Sequence, residues 1–151
     1  MSNEKNLHTD EELSLQLFIV LTRALDSVKK NIEKDIRSYG LNPTEFAVLE
    51  LIYSKGEQPI QRIGEKVLIA SSSITYVVDK LEKKKLLIRT PYPEDRRIIY
   101  ASITDAGKEM MDEIFPLHSK QIQKILGGLD KEEKKVVIEQ LKKLGLFARS
   151  V

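Results

Sequence analysis

Apolar positions fall at helical spacing from early in the chain. Leu13, Leu17, Leu21, Leu25, Val28, Ile32, Ile36 and Tyr39 recur three and four residues apart, and Phe18 and Val20 broaden the stripe near its start. The pattern predicts one long helix from about Asp10 to Tyr39. Gly40 is a natural stop, because glycine accepts the left-handed position just past a helix end. A stripe this long exceeds what one small core needs, so its ends are expected to pack on a partner chain.

The next helix opens at "NPTEF", with Asn42 as N-cap, Pro43 at the first helical position and Glu45 three residues on, as in a capping box. Phe46, Leu49, Ile52 and Tyr53 form its predicted buried face, and Gly56 ends it. A short helix is expected from about Pro59 to Val67, with Ile60, Ile63 and Val67 inward. After a brief turn, "SSSITYVVDKLEKKK" starts another, capped by Ser71 or Ser72, with Ile74, Val77, Val78 and Leu81 as its apolar face. Two short helices joined by a tight turn form a helix-turn-helix candidate.

"LLIRTPY" and "IIYASI" read as two strands around a polar hairpin tip, "YPEDRR". Thr104 then caps a long helix in which Met111, Ile114, His118, Ile122 and Ile125 share a face; Pro116 inside it is expected to kink the axis. Gly127 and Gly128 break it. Asp130 caps the last helix, with Val137, Leu141 and Leu144 expected inward. The fold class is therefore mainly α with a small β element (α+β).

The 151 residues suit one domain with a sizeable core, and the 32% charged fraction suits helices with charged outer faces. No cysteine is present, which excludes disulfides, thiolate metal sites and thiol redox sensing. The opening "MSNEKNLHTDEE" is polar and acidic and predicts no signal peptide. No apolar run approaches the roughly 18 residues of a membrane span. A cytoplasmic location and no membrane partner are expected. The net charge of +2 says little, but from Gln61 to Arg97 nine Lys/Arg face five Asp/Glu, a local net of +4. Phosphate binding needs such a local patch more than a high total.

Catalysis finds little to work with. The two histidines, His8 and His118, lie far apart in sequence, and the serines at 71–73 have no nearby base in sequence. No enzyme, metal site or cofactor is expected. The helix from Ser71 offers different chemistry. Its outer face carries Ser72, Ser73, Thr75, Tyr76, Asp79, Lys80 and Lys83: small hydroxyls and an aromatic near the start, cations further along. A helix entering a major groove needs short hydrogen-bonding groups at the base edges and cations near phosphates. The hairpin would stand beside it as a wing. Arg96 and Arg97 would probe phosphate and the minor groove, and Asp95 would orient one guanidinium.

"GLNPTEFAVLELI", "SSSITYVVDKLEKKKLLIR", "PEDRRIIYASITDAG" and the long terminal helices together resemble the multiple-antibiotic-resistance regulator (MarR) family of winged-helix repressors, over roughly Leu13 to Phe147. Within it the chain is most similar to the Gram-positive repressors of quinone and aromatic-compound detoxification genes. The resemblance implies a winged helix-turn-helix with long N- and C-terminal dimerisation helices. It reads as a single winged-helix domain over 1–151, with a DNA-binding core over 41–104 and dimerisation helices over 10–39 and 105–148. It implies a homodimer on a pseudo-palindromic operator in double-stranded DNA, with half-sites about 34 Å apart. The implied DNA contacts are Ser71, Ser72, Ser73, Thr75, Tyr76, Lys80, Arg96 and Arg97. Family members often hold small aromatic ligands between the dimerisation helices and the winged core. Phe18, Tyr39, Phe46, Tyr53, Met111, Phe115 and His118 are the expected lining here, for a noncovalent phenol- or quinone-like effector that relieves repression. Lys85 stands where many relatives have glycine, and lysine accepts a left-handed backbone poorly, so the helix end is expected to differ. The alternative is a winged-helix protein-interaction or architectural DNA-binding protein without an effector.

Overall fold

The computed structural model describes residues 9–67 and 71–151, the side chains of Ser71 and Ser72 excepted. His8, the turn between the two short helices and any capping by the Ser71 or Ser72 side chain lie outside the described residues. Among the described residues the elements in order are α1 (Asp10–Ser38), α2 (Pro43–Lys55), β1 (Gln58–Pro59), α3 (Ile60–Lys66), α4 (Ser71–Lys83), β2 (Leu87–Tyr92), β3 (Asp95–Ile103), α5 (Asp105–Ile125) and α6 (Lys131–Ser150).

The helices begin where the sequence supplies oxygen acceptors for their free amides. Thr9, Asn42 and Asp130 form capping boxes with Glu12, Glu45 and Glu133, and Thr104 accepts from the Gly107 amide. Gly40 and Gly56, at φ of 80° and 82°, close the first two helices. Pro116 lies inside α5, which remains helical on both sides of it.

The three strands run in the order β1-β3-β2, all antiparallel. β1 was not expected: two residues carry no periodicity, and one of them is Pro59. β2 is an edge strand, which lets Pro91 sit in it without a donor. The wing also departs from expectation. The polar tip is shorter than "YPEDRR", because β3 already begins at Asp95 and only Pro93 and Glu94 separate the strands. Pairing then jumps from Pro91↔Ile99 to Tyr92↔Asp95, so Arg96, Arg97 and Ile98 have no directly facing partner on β2. Such an irregularity bends the strand and re-aims its side chains.

The core sits in the winged part. Ile36, Leu41, Phe46, Val48, Leu49, Ile52, Ile63, Ile74, Val77, Val78, Leu81, Leu86, Leu87, Ala101, Met111 and Ile114 form one buried cluster. The four apolar positions expected to anchor α4 are all in it.

Two junctions hold α4 within this core. At its C-terminus the Leu86 amide donates to the Leu81 carbonyl (3.0 Å) and the Lys85 amide to that of Glu82 (2.9 Å), the two bonds of a Schellman motif. Lys85 occupies the left-handed position at φ 63°, so the expected change at this helix end does not occur. Its conformation is held from outside: the Thr104 hydroxyl donates to the Lys85 carbonyl (2.7 Å), and the Thr104 amide donates to that of Leu86 (3.1 Å). Thr104 Oγ1 also accepts from the Gly107 amide (3.0 Å). A Cβ on Gly107 would lie 2.3 Å from the Leu86 carbonyl oxygen, so only glycine lets α5 start this close to the end of α4. The run "ITDAG" is thus a clasp between the two helices. The second junction is Lys84, whose ammonium pairs with the buried Glu45 carboxylate (2.7 Å) and donates to the Gly40 carbonyl (3.2 Å).

The terminal helices are a different case. α1 buries only Ile36, and α6 buries nothing. Val137, Leu141 and Leu144 were expected inward, yet each is 39–43% exposed, because among the described residues that face is covered only in part. Apolar clefts of about 430 and 420 Å³ run along α1 and α6; Leu17, Leu144 and Phe147 line the first, Leu21, Leu25 and Val137 the second, and Leu141 both. No described helix is long and apolar enough to cross a membrane.

Candidate nucleic-acid interface

Helix α4 is amphipathic by spacing. Ile74, Val77, Val78 and Leu81, at i, i+3, i+4 and i+7, are buried, which turns Ser73, Thr75, Tyr76 and Asp79 outward. Tyr76 is 61% exposed, and the Lys80 ammonium lies 5.1 Å from its ring centroid. That cation–π contact is worth about 0.5–1 kcal/mol at an exposed site and holds a flexible cation beside the aromatic.

The wing stands next to this face. The Arg97 side chain is 91% exposed, yet it is oriented: Nε donates to Asp95 Oδ1 (3.1 Å) and Nη2 to Oδ2 (3.2 Å). The Arg97 amide also donates to Oδ1 (3.0 Å). These bonds, the side-chain ones first, hold the Asp95 carboxyl below the usual carboxylate range. Arg96 is exposed beside it. Thr75, Arg89, Arg97, Ile98 and Ile99 line one shallow cavity of about 230 Å³, together with Pro59, Ile60 and Gln61. The helix face and the wing arginine therefore border a single concavity.

A model of the MarR family matches residues 41–99. The HTH-type transcriptional regulator MhqR of Bacillus subtilis is 54% identical over 138 residues, covering 91% of this chain and 95% of that protein. This chain belongs to the MarR family. Solved MarR-family structures from Streptomyces coelicolor share the fold. AbsC superposes with a TM-score of 0.81 at 19% identity, covering 97% of this chain and all of that one. Sco3205, solved in complex with DNA, gives 0.80 at 20% identity, covering 91% of each. The chain is a MarR-family transcriptional regulator that binds DNA, and its relatives are regulators rather than enzymes.

In this MarR-family chain six of the seven residues expected around an effector lie together. Tyr39, Phe46, Tyr53, Met111, Phe115 and His118 gather where α1, α2 and α5 meet. The Phe46 and His118 rings lie 4.5 Å apart, and those of Tyr53 and Phe115 lie 6.1 Å apart. Phe18 lies apart from them: it is 67% exposed, about 25 Å along α1 from Asp35. Sequence reasoning missed the acids that organise the group. Asp35 accepts from His118 Nδ1 (2.7 Å) and from the Tyr39 hydroxyl (2.9 Å), and Asp112 accepts from Tyr53. The i, i+4 spacing of Asp35 and Tyr39 was the available signal. Burial first, then the Asp35 bond and charge, push Tyr39 up to about 12. Arg89 was missed as well; it lies in a run read only as strand.

Proposed function

We propose that two copies of this chain clasp through α1, α5 and α6 and act as a repressor on a pseudo-palindromic operator. Ser73, Thr75 and Tyr76 read base edges in the major groove, with Ser71 and Ser72 at the same helix end. Lys80 meets phosphate, and Arg96 and Arg97 reach phosphate and the neighbouring minor groove. The carrying observation is the concavity shared by Thr75 and Arg97, which gives one duplex surface both a reading helix and an oriented cation. The bare faces of α1 and α6 support the dimer. The protein works in the cytoplasm, where its DNA is.

A small phenol- or quinone-like molecule is the proposed effector, held noncovalently among Tyr39, Phe46, Tyr53, Met111, Phe115 and His118. Met111 is fully buried and Phe46 and His118 nearly so, so entry requires the α1–α5 junction to open. A ligand that favours the opened form shifts the spacing of the two reading heads and with it DNA affinity.

Gel shifts at fixed salt on a footprinted fragment and on random DNA test the DNA reading, with specific binding expected about 10³-fold tighter or more. Equal affinity for both would favour the architectural alternative. Titrating phenols and quinones against the complex tests the effector, and no release by any of them would remove it.

A further inference from the structure

Arg89 lies on β2, outside the residues assigned above to DNA. Its guanidinium nevertheless bonds to three successive levels of the reading helix. Nη2 pairs with Asp79 (2.7 Å) and reaches the Thr75 carbonyl (3.3 Å), while Nη1 pairs with Glu82 (2.9 Å). Positions 75, 79 and 82 form one stripe along α4, the stripe that faces the wing strand. The Arg89 side chain is only 24% exposed, against 91% for Arg97. It separates the 230 Å³ cavity shared by Thr75 and Arg97 from a second of about 340 Å³ lined by Asp79, Glu82 and Lys83.

Two features set this group apart from a phosphate contact. Its cation is already paired with two carboxylates, so it has no uncompensated charge to offer a phosphate. Its bonds also use the planar fork of the guanidinium to span two turns of helix, which a lysine point charge cannot reproduce. One of its acceptors is the backbone of Thr75, whose side chain lies on the reading face.

We infer that Arg89 is a positioning residue for DNA recognition. It sets the separation and angle between the reading helix and the wing without touching DNA itself. The inference rests on the placement of α4 and the wing proposed above.

The test compares Arg89→Gln, Arg89→Lys and Arg97→Ala dimers with wild type, on operator and random DNA, across a salt series. Arg89→Gln is expected to weaken operator binding by about tenfold or more, leave random-DNA binding unchanged and keep the salt slope. Arg89→Lys, which retains the charge, is expected not to rescue it. Arg97→Ala should weaken both and lower the slope by about one. A slope lowered by about one in Arg89→Gln, or full rescue by lysine, would overturn the inference. Where Arg89→Gln fails to fold, Asp79→Asn with Glu82→Gln keeps the arginine and removes its anchors. A reduced preference for operator is then expected, and an unchanged one overturns the inference. Wild-type protein without operator preference would instead sink the underlying DNA reading, while wild-type preference retained in every Arg89 and anchor variant would sink only the role of Arg89.

Discussion

Lys85 shows how a single residue can sit against its own preference. A left-handed lysine costs about 1 kcal/mol or more, and here the Thr104 bonds hold it in place. Lys85→Gly is therefore expected to raise stability by about 1 kcal/mol in urea unfolding, with DNA affinity little changed. Arg97→Ala should leave the thermal melt nearly intact, since an exposed ion pair contributes little to stability, while lowering operator affinity. Tyr39 gives a pH test. Its hydroxyl is raised from 10.0 to about 12, so the folded state favours the neutral form. That contribution is complete below pH 10 and is lost as pH rises from 10 toward 12. Absorbance titration should show a tyrosine ionisation near 12 that is lost in Tyr39→Phe. At this scale the sequence showed which α4 side chains face outward, Ser73, Thr75, Tyr76 and Asp79, because exposure follows from helical spacing. It could not show Arg89 or Asp35 as organising groups, since their partners come together only through packing between elements.

Helix positions were legible because caps and apolar stripes are local signals; Asn42–Glu45 and Ile74–Leu81 are examples. Pairing register is not local, and this hid β1 and the jump at Pro91 that leaves Arg96 and Arg97 off the regular ladder. The clasp at Gly107 was equally hidden, although "ITDAG" was visible as a motif. Gly107→Ala drives a methyl into the Leu86 carbonyl and is expected to destabilise by about 1–3 kcal/mol in urea or thermal unfolding. Because the displaced groups belong to the end of α4, a variant that still folds should also lose operator preference more than random-DNA binding.

For the molecule as a whole, family and fold were legible in motifs that span both the core and its ends. The fate of α6 was not: its periodicity shows an apolar face without saying whose surface covers it. Leu141 lines both clefts, so Leu141→Glu in the proposed dimer is expected to shift sedimentation toward the monomer and abolish operator shifts at matched concentration. Wild-type melting temperature should rise with protein concentration, as it does whenever assembly is linked to folding. The uncovered α6 face has a further consequence for dosage. When lone protomers predominate, operator occupancy follows the square of chain abundance, so halving synthesis quarters the bound fraction at low occupancy. In the proposed dimeric repressor, control would therefore fall off more steeply than chain abundance as growth dilutes it.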